Sequence, residues 1–544
     1  MAPEHSRPSH QSPAPSLEGS DPDRREFLGA ALLGLAMPPL SRLAQAGGEL
    51  IRSVGPASPG VTISRPTQEQ GIMIGDVGDR AAVIWSRSDR PARMMVEFAT
   101  NSKFENSTLV QGSTATPSSD LTAKTVLREL PVGERIFVRV SFRDLADPRK
   151  ESLPVEGQFN VPAVEARDVR FLWSGDTAGQ GFGINPEFGG MRIYDTMRRF
   201  EPDFFIHCGD SVYADVPILP EIKLEDGSIW RNVTTPEKLV VAQSLEEFRG
   251  NYRYNLQDEH VRRFNAAVPL YSTWDDHEVY NNWAPGGTLS DPRYSERSAD
   301  LLAARGKKAF FEYTPIASTV ESTERIYRSF RYGPALEIFR LDERSYRGAN
   351  TPGRESDTTP TPWLGESQSR WLKESLRDST ATWKIIVSDM PLGLIVPDGK
   401  NVDAAANGDG PPTGREREVA DILGYLKAVG VKNVIWLTAD VHYAAAHFYD
   451  PERAQFKNFD SFWEFVGGPL HAGTFGPNKL DDTFGPEAKF VSVPEGLKPN
   501  RPPTEGLQFF GQVKLDGETE ALTVSLHNLV GAKLYSVELI PEKK

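Results

Sequence analysis

Three short stretches of this chain set carboxylates and ring donors at spacings that suit a metal centre. "GDSVY" carries Asp210 and Tyr213, three residues apart, just past a run of buried-strand character. Both side chains turn toward one centre if the segment curls into a helical turn. "ADVHY" carries Asp440 and His442, and on a strand a spacing of two puts both on one face. "WDDHE" sets Asp275, Asp276 and His277 in a row after Trp274, with Asn281, Asn282 and Trp283 following. Asp276 offers an oxygen ligand, and His277 beside it can protonate a leaving group. A tyrosine phenolate is a poor ligand for zinc or magnesium but a good one for ferric iron, a harder acid.

Each of these groups has a plainer reading when taken alone. Gly-Asp after a strand is often only a turn. A lone histidine is as readily a satisfied core residue, and a lone tyrosine is core more often than ligand. Cys208 reads as a small buried hydrophobe. Asn281 and Asn282 are turn residues or partners of ligands, and His447 and His471 carry no usable spacing. The chemical reading rests on joint occurrence, and that depends on the elements that must carry these residues.

From Val169 the sequence alternates buried-strand runs with helical patterns. "VRFLWSGD", "DFFIHCGD", "LYSTWDD", "LEIFRLDER", "WKIIVSDM" and "NVIWLTADVH" read as strands. "PEFGGMRIYDTMRRF", "ESQSRWLKESLRDS" and "REREVADILGYLKAVG" read as helices between them. Strand, helix, strand is the signature of a sheet with helices on its faces. Each strand run ends in an acidic or imidazole residue: Asp176, Asp210, Asp275 with Asp276, Asp342, Asp389, and Asp440 with His442. Ligands of open α/β sheets sit beyond the carboxyl ends of strands. So many carboxylates at one edge repel one another unless cations offset them, and hard oxygen ligands suit hard metals.

Before Val169, from about residue 68 to 160, the pattern is β throughout. "AAVIWSRSD", "RMMVEFAT" and "RIFVRVSFRD" are short β-branched and aromatic runs with turn residues between them, which reads as a small antiparallel sandwich. The tail, "LQFFGQVKLD" and "ALTVSLHN", returns to strands. A formal net charge of −14 offers no broad basic surface for nucleic acid or anionic lipid. A phosphate-handling chain of this charge needs local cations or metal. With the single cysteine Cys208, no intrachain disulfide forms.

"SGDTAGQG", "CGDSVYAD", "WDDHEVYNNW", "LDERSYR", "TADVHYA" and "EFVGGPLHAG", in that order, resemble the alkaline phosphatase D (PhoD-like) family of the calcineurin-like metallophosphoesterases. The resemblance covers nearly the whole chain after the N-terminal segment. It implies an α/β catalytic domain, a four-layer α-β-β-α sandwich over about residues 167–540, with a bimetal site at its strand ends. A small all-β domain of fibronectin type III or immunoglobulin-like kind precedes it at 66–162. By motif position Asp176 and His442 fall on first-metal ligands, Asp210 on the bridging ligand, and Tyr213 on the ferric ligand. Asp276 and Asp440 fall on second-metal ligands, and His277 on the phosphate-contacting histidine. Asp275 binds or orients Asp276, and Asp389 lies near a ligand position of related enzymes. Arg344 is a candidate to hold a phosphate oxygen through its planar fork, with a structural salt bridge as the alternative.

One departure stands out. Known members carry a cysteine iron ligand just after the first strand, and that place here reads Ser174-Gly175-Asp176. Two or more metal ions are expected; the family points to ferric iron with calcium, and manganese or zinc remain alternatives. The resemblance implies hydrolysis of phosphate mono- or diesters. Phosphotriesters or phospholipids on the same metals are the alternative, and a non-catalytic binding protein is a third reading.

The N-terminus reads as an export signal. Arg24 and Arg25 precede a short apolar run, and Ala44-Gln45-Ala46 gives a small-x-small cleavage site. Residues 1–46 resemble a twin-arginine signal peptide and 47–65 a linker, with no transmembrane segment and a periplasmic or extracellular product expected.

Overall fold

The computed structural model describes residues 65–78, 80–317, 324–355 and 361–542. The leader assigned to 1–46 and nearly all of the linker lie outside the described residues. No helix among the described residues is long and apolar enough to cross a membrane.

Two large sheets carry the chain. In spatial order the nine-stranded sheet runs Lys533–Leu539, Leu522–Asn528, Phe509–Leu515, Val169–Ser174, Phe204–Cys208, Leu270–Thr273, Ile72–Gly78, Ala81–Arg87, Thr122–Leu127. The seven-stranded sheet runs Arg328–Tyr332, Leu336–Arg340, Trp383–Val387, Val434–Thr438, Phe462–Val466, Ala445–Tyr449, Pro486–Val491. The central strands of each sheet are parallel, and in the first sheet Ser174 sits opposite His207 and Thr273 opposite Cys208. Parallel pairing sends successive strands in one direction, so the strand ends of a sheet deliver their acidic residues to one edge.

Side-chain alternation explains the layers. In strand Phe204–Cys208, Phe204 and Ile206 enter the core between the sheets, while Phe205 packs on the opposite face. In strand Trp383–Val387, Ile385 and Val387 enter the same central core and Ile386 faces away. Helices cover both outer faces. Phe248 of helix Leu245–Asn255, Phe264 of Glu259–Ala267 and Phe310 of Ala299–Tyr313 pack with Phe205. Leu372 of Glu366–Asp378 and Leu423 of Glu416–Val429 pack with Ile386. The result is helix, sheet, sheet, helix.

Local signals place these helices. Ser244 and Glu247 form a capping box at the start of Leu245–Asn255. The Asp258 carboxylate accepts from the His260 and Val261 backbone N–H groups to open the next helix. Gly430, at φ +72°, ends Glu416–Val429 in the left-handed conformation.

The N-terminal β region is joined to the rest more closely than its sequence indicates. Strands Thr108–Ala115, Ala92–Ala99, Arg135–Asp144 and Val155–Asn160 form a separate four-stranded sheet. Its other layer, Ile72–Gly78 with Ala81–Arg87 and Thr122–Leu127, continues the nine-stranded sheet through a parallel pairing of Gly75 with Leu270. Met94, Val138 and Phe142 of the small sheet lie in one hydrophobic cluster with Phe171, Phe204 and Ile385.

Candidate metal centre

The turns after four parallel strands meet where the two sheets end. Two groups of ligand atoms form there: Asp176, Asp210 and His442, and Asp210, Asp276 and His277. Within each group the candidate atoms lie within 4.8 Å of one another, and Asp210 belongs to both. That is the arrangement two cations bridged by one carboxylate require.

Around the first group, the Tyr213 phenol oxygen lies 2.8 Å from His442 Nε2 and 3.5 Å from Asp176 Oδ1. His442 Nε2 lies 3.3 Å from Asp176 Oδ1. His442 Nδ1 is 2.5 Å from the Gly473 carbonyl, which only accepts, so Nδ1 carries the proton and Nε2 offers its lone pair to the group. In the second group, His277 Nδ1 is 2.7 Å from Asp215 Oδ1, and Nε2 faces Asp276 Oδ1 at 3.9 Å. The His277 backbone N–H donates to Asp210 Oδ1 at 3.2 Å.

The backbone is strained where these candidate ligands sit. Asp176, Asp210, Asp440 and His442 have φ of +68°, +52°, +65° and +62°. Non-glycine residues adopt this region at a cost and cluster at functional sites when they do. Glu278 ties the turns together: Oε1 accepts from the Ser211 N–H at 2.7 Å and Oε2 from the Asp275 N–H at 2.8 Å. Two glycines leave room for Asp176 and Tyr213. A Cβ on Gly468, whose φ is +110°, would collide with Asp176 Oδ2, and one on Gly179 would collide with the Tyr213 ring.

The donors fit cations. Burial pushes the Asp210 carboxyl well above its ordinary value, and the charges of Asp275, Asp276 and Glu278 add to that rise against the attraction of His277. Burial likewise raises Asp275 and Asp389, with repulsion from neighbouring carboxylates. Asp210 Oδ2 is buried with no hydrogen-bond partner. Burial opposes charge on His277, but Asp215, Asp276 and Asp210 outweigh it and hold this imidazole well above its ordinary pKa.

The remaining sequence candidates lie close by in different surroundings. Asp440 is half-buried at the end of Val434–Thr438, in neither three-residue group, and its charge acts on Asp275. Asp275 Oδ1 receives Arg344 Nε at 2.6 Å, and Asp389 Oδ2 lies 3.5 Å from the same nitrogen. Arg344 is 0% exposed and its fork also meets Asp403. Asp342 accepts from the Trp274 indole at 2.8 Å and from the Arg344 and Ser345 N–H groups, so it braces the turn. Trp274 and Trp283 pack edge to face at 5.4 Å beside the centre. Cys208 is buried in the core between the sheets, and the Ser174 hydroxyl donates to the Phe509 carbonyl.

Several residues that shape the centre carry no signal in sequence. Asp215 and Glu278 are buried acids that adjoin the motifs without a distinctive spacing. Lys238 donates to the Tyr213 carbonyl and to Asn251 Oδ1, each at 2.6 Å, and burial pushes its amine down to about 7. Asp403 lies in a Gly- and Pro-rich stretch that reads as a pocket wall; the structure ties it to Arg344 at 3.0 Å and Arg347 at 3.1 Å.

Comparison with known proteins identifies the family and the fold. The PhoD-like phosphatase family matches residues 171–526, and the PhoD-like phosphatase N-terminal domain matches 55–160. Alkaline phosphatase D of Bacillus subtilis (strain 168) is 29% identical over 311 residues, which is 55% of this chain and 51% of that protein. The match thus spans about half of that relative's length. A solved structure of PhoD superposes with a TM-score of 0.65 at 18% identity, covering 88% of this chain and 94% of that one. A purple acid phosphatase from yellow lupin (Lupinus luteus) seeds superposes with a TM-score of 0.53 at 13% identity, covering 88% and 75%. At these identities the two structures establish the shared fold.

Proposed function

The chain belongs to the PhoD-like phosphatase family, and on that premise we propose that it hydrolyses phosphate esters at the paired groups sharing Asp210. The observation that carries this reading is the shared carboxylate, with Asp176 and His442 on one side and Asp276 and His277 on the other. Cations bound there would neutralise the ester's charge and make water a nucleophile near neutral pH.

The protein's own groups have separate tasks. Asp176, His442 and Tyr213 would hold the first cation, Asp210 would serve both, and Asp276 with Asp440 would hold the second. His277, fixed through Nδ1 by Asp215, points Nε2 at the second group and donates a proton to the departing alkoxide. Trp274 and Trp283 exclude water from that side. Asp275 and Asp389 are engaged by Arg344, so they orient rather than ligate.

For the metals we favour ferric iron at the Tyr213 side with a hard divalent partner such as calcium; manganese and zinc are the alternatives that metal analysis separates. No sulfur stands at the place of the family's cysteine ligand, so Asp176 supplies an oxygen there. Residues 1–46 are the proposed twin-arginine leader, with a periplasmic or extracellular product.

The test is hydrolysis of p-nitrophenyl phosphate beside bis-p-nitrophenyl phosphate, with and without chelator, on protein exported through its own leader. Chelator-sensitive preference for the monoester makes it a phosphatase, and preference for the diester a phosphodiesterase. No activity on either with metals bound removes this reading in favour of a triester hydrolase or a binding protein.

A further inference from the structure

Behind the strand ends, on the helix-covered face of the nine-stranded sheet, lies a cavity with about 60 Å³ of space for the centres of water molecules. Thr177, His207, Ser211, Tyr252 and Asn255 line it, and Val261 belongs to its apolar remainder. Two of these residues directly follow candidate metal ligands: Thr177 comes after Asp176, and Ser211 after Asp210. The Thr177 N–H also donates to the Asp210 carbonyl at 2.8 Å. Each of the two turns is gripped by a side chain of the cavity wall. His207 Nε2 lies 3.1 Å from the Thr177 hydroxyl, and Asn255 Nδ2 donates to the Ser211 carbonyl at 2.8 Å.

The protein alone leaves these grips incomplete. His207 Nδ1, Tyr252 Oη and Asn255 Oδ1 are buried and have no hydrogen-bond partner. Their residues are 4%, 7% and 7% exposed. A buried polar atom left unpaired costs at least as much as a lost hydrogen bond. Water takes roughly 30 Å³ in the liquid, so the space beside these atoms admits at least about two molecules. We propose that this cavity is an internal hydration site, whose bound waters complete the hydrogen bonding of His207, Tyr252 and Asn255 and so hold the turns on which Asp176 and Asp210 stand. A water on Asn255 Oδ1 fixes the amide plane that presents Nδ2 to Ser211. A water on His207 Nδ1 fixes the ring that meets Thr177, and it donates or accepts according to the tautomer. His207 and Asn255 are therefore positioning residues, on strand Phe204–Cys208 and helix Leu245–Asn255. The hydration stands on the cavity alone. Its bearing on Asp176 and Asp210 rests on the metal-centre reading above.

The experiment has two arms. The first is a crystal structure of the full protein, with and without xenon under pressure. Ordered waters on Asn255 Oδ1, Tyr252 Oη and His207 Nδ1, and no xenon, are expected. Xenon in the cavity, or no water on these atoms, overturns the proposal, because a dry apolar cavity takes up xenon. The second arm is Val261→Phe, which pushes an apolar ring into the cavity from helix Glu259–Ala267. Displaced waters leave the grips unsatisfied, so a chelator titration should show metal held roughly 5-fold or more weakly, the equivalent of one lost hydrogen bond. Should Val261→Phe not fold, Val261→Leu is read in the same way. A folded variant whose own structure has lost the waters, yet which holds metal as tightly as wild type, overturns the holding role. Wild-type protein that binds no metal removes the metal-centre reading and the holding role with it, while the water and xenon result still decides the hydration.

Discussion

Asp215→Asn separates proton donation from metal binding. Asp215 accepts twice: Oδ1 from His277 Nδ1 at 2.7 Å, and Oδ2 from the Asn281 N–H at 2.9 Å. Asparagine accepts on one atom only, so one of these donors faces an NH₂ group, and the charge that holds the imidazolium is gone. Both side chains are buried, at 4% and 5% exposure, so solvent screens little of this interaction. A hydrogen bond between charged groups contributes about 1.5–3 kcal/mol, which is roughly 10- to 100-fold in rate at about 1.4 kcal/mol per decade.

The loss should depend on the leaving group. A p-nitrophenolate departs without a proton, whereas an alkoxide needs one in the transition state. We expect kcat/KM for an alkyl phosphate to fall roughly 10- to 100-fold. For p-nitrophenyl phosphate it should fall a few-fold at most, with the metal count unchanged. Equal losses on the two substrates would refute the assignment of His277 as the proton donor. Loss of metal in Asp215→Asn would refute the claim that Asp215 acts only through the imidazole.

Further predictions follow from the same geometry. Asp210→Asn removes the carboxylate shared by both groups, so bound metal and hydrolysis should disappear together; an Asp210→Asn protein that keeps both places the centre elsewhere. Gly468→Ala puts a Cβ against Asp176 Oδ2 on a backbone at φ +110°. It should weaken binding at the first metal and cost about 1–3 kcal/mol of stability, read by metal titration and thermal unfolding. Metal-free protein should lose stability as pH rises. Asp210 keeps a proton in the fold that the unfolded chain releases above about pH 4. Folding then takes up protons, and this contribution falls with rising pH. Bound metal supplies the missing charge, so the fall in melting temperature between about pH 5 and about pH 8 should shrink when metal is added. An identical fall with and without metal would show that the Asp210 carboxyl does not face the cations.

What the sequence discloses here follows from how a parallel strand ends. "DFFIHCGD" and "NVIWLTADVH" state their own burial, and the residue after the last apolar position is held at the sheet edge by the strand itself. Asp176, Asp210, Asp276 and His442 were legible for that reason, and so were the helices Glu366–Asp378 and Glu416–Val429, whose apolar spacing is local. The extension of the nine-stranded sheet by Ile72–Gly78 was not legible, because it rests on one pairing, Gly75 with Leu270, across nearly two hundred residues of chain.

Arg344 shows where reading by spacing ends. A guanidinium fork receives a phosphate and a carboxylate with the same geometry, so "LDERSYR" is compatible with either partner. The choice is made by Asp403, 59 residues further along, in a stretch whose glycines and prolines permit many conformations. That stretch is anchored instead by Arg415, which donates to the Asp403 carbonyl at 2.7 Å and to the Gly348 carbonyl at 2.7 Å. A loop held in this way delivers a charge as firmly as a strand does. Candidate ligands can therefore be read from strand ends, while counter-charges that pair with the acidic edge come from loops whose sequence carries no period.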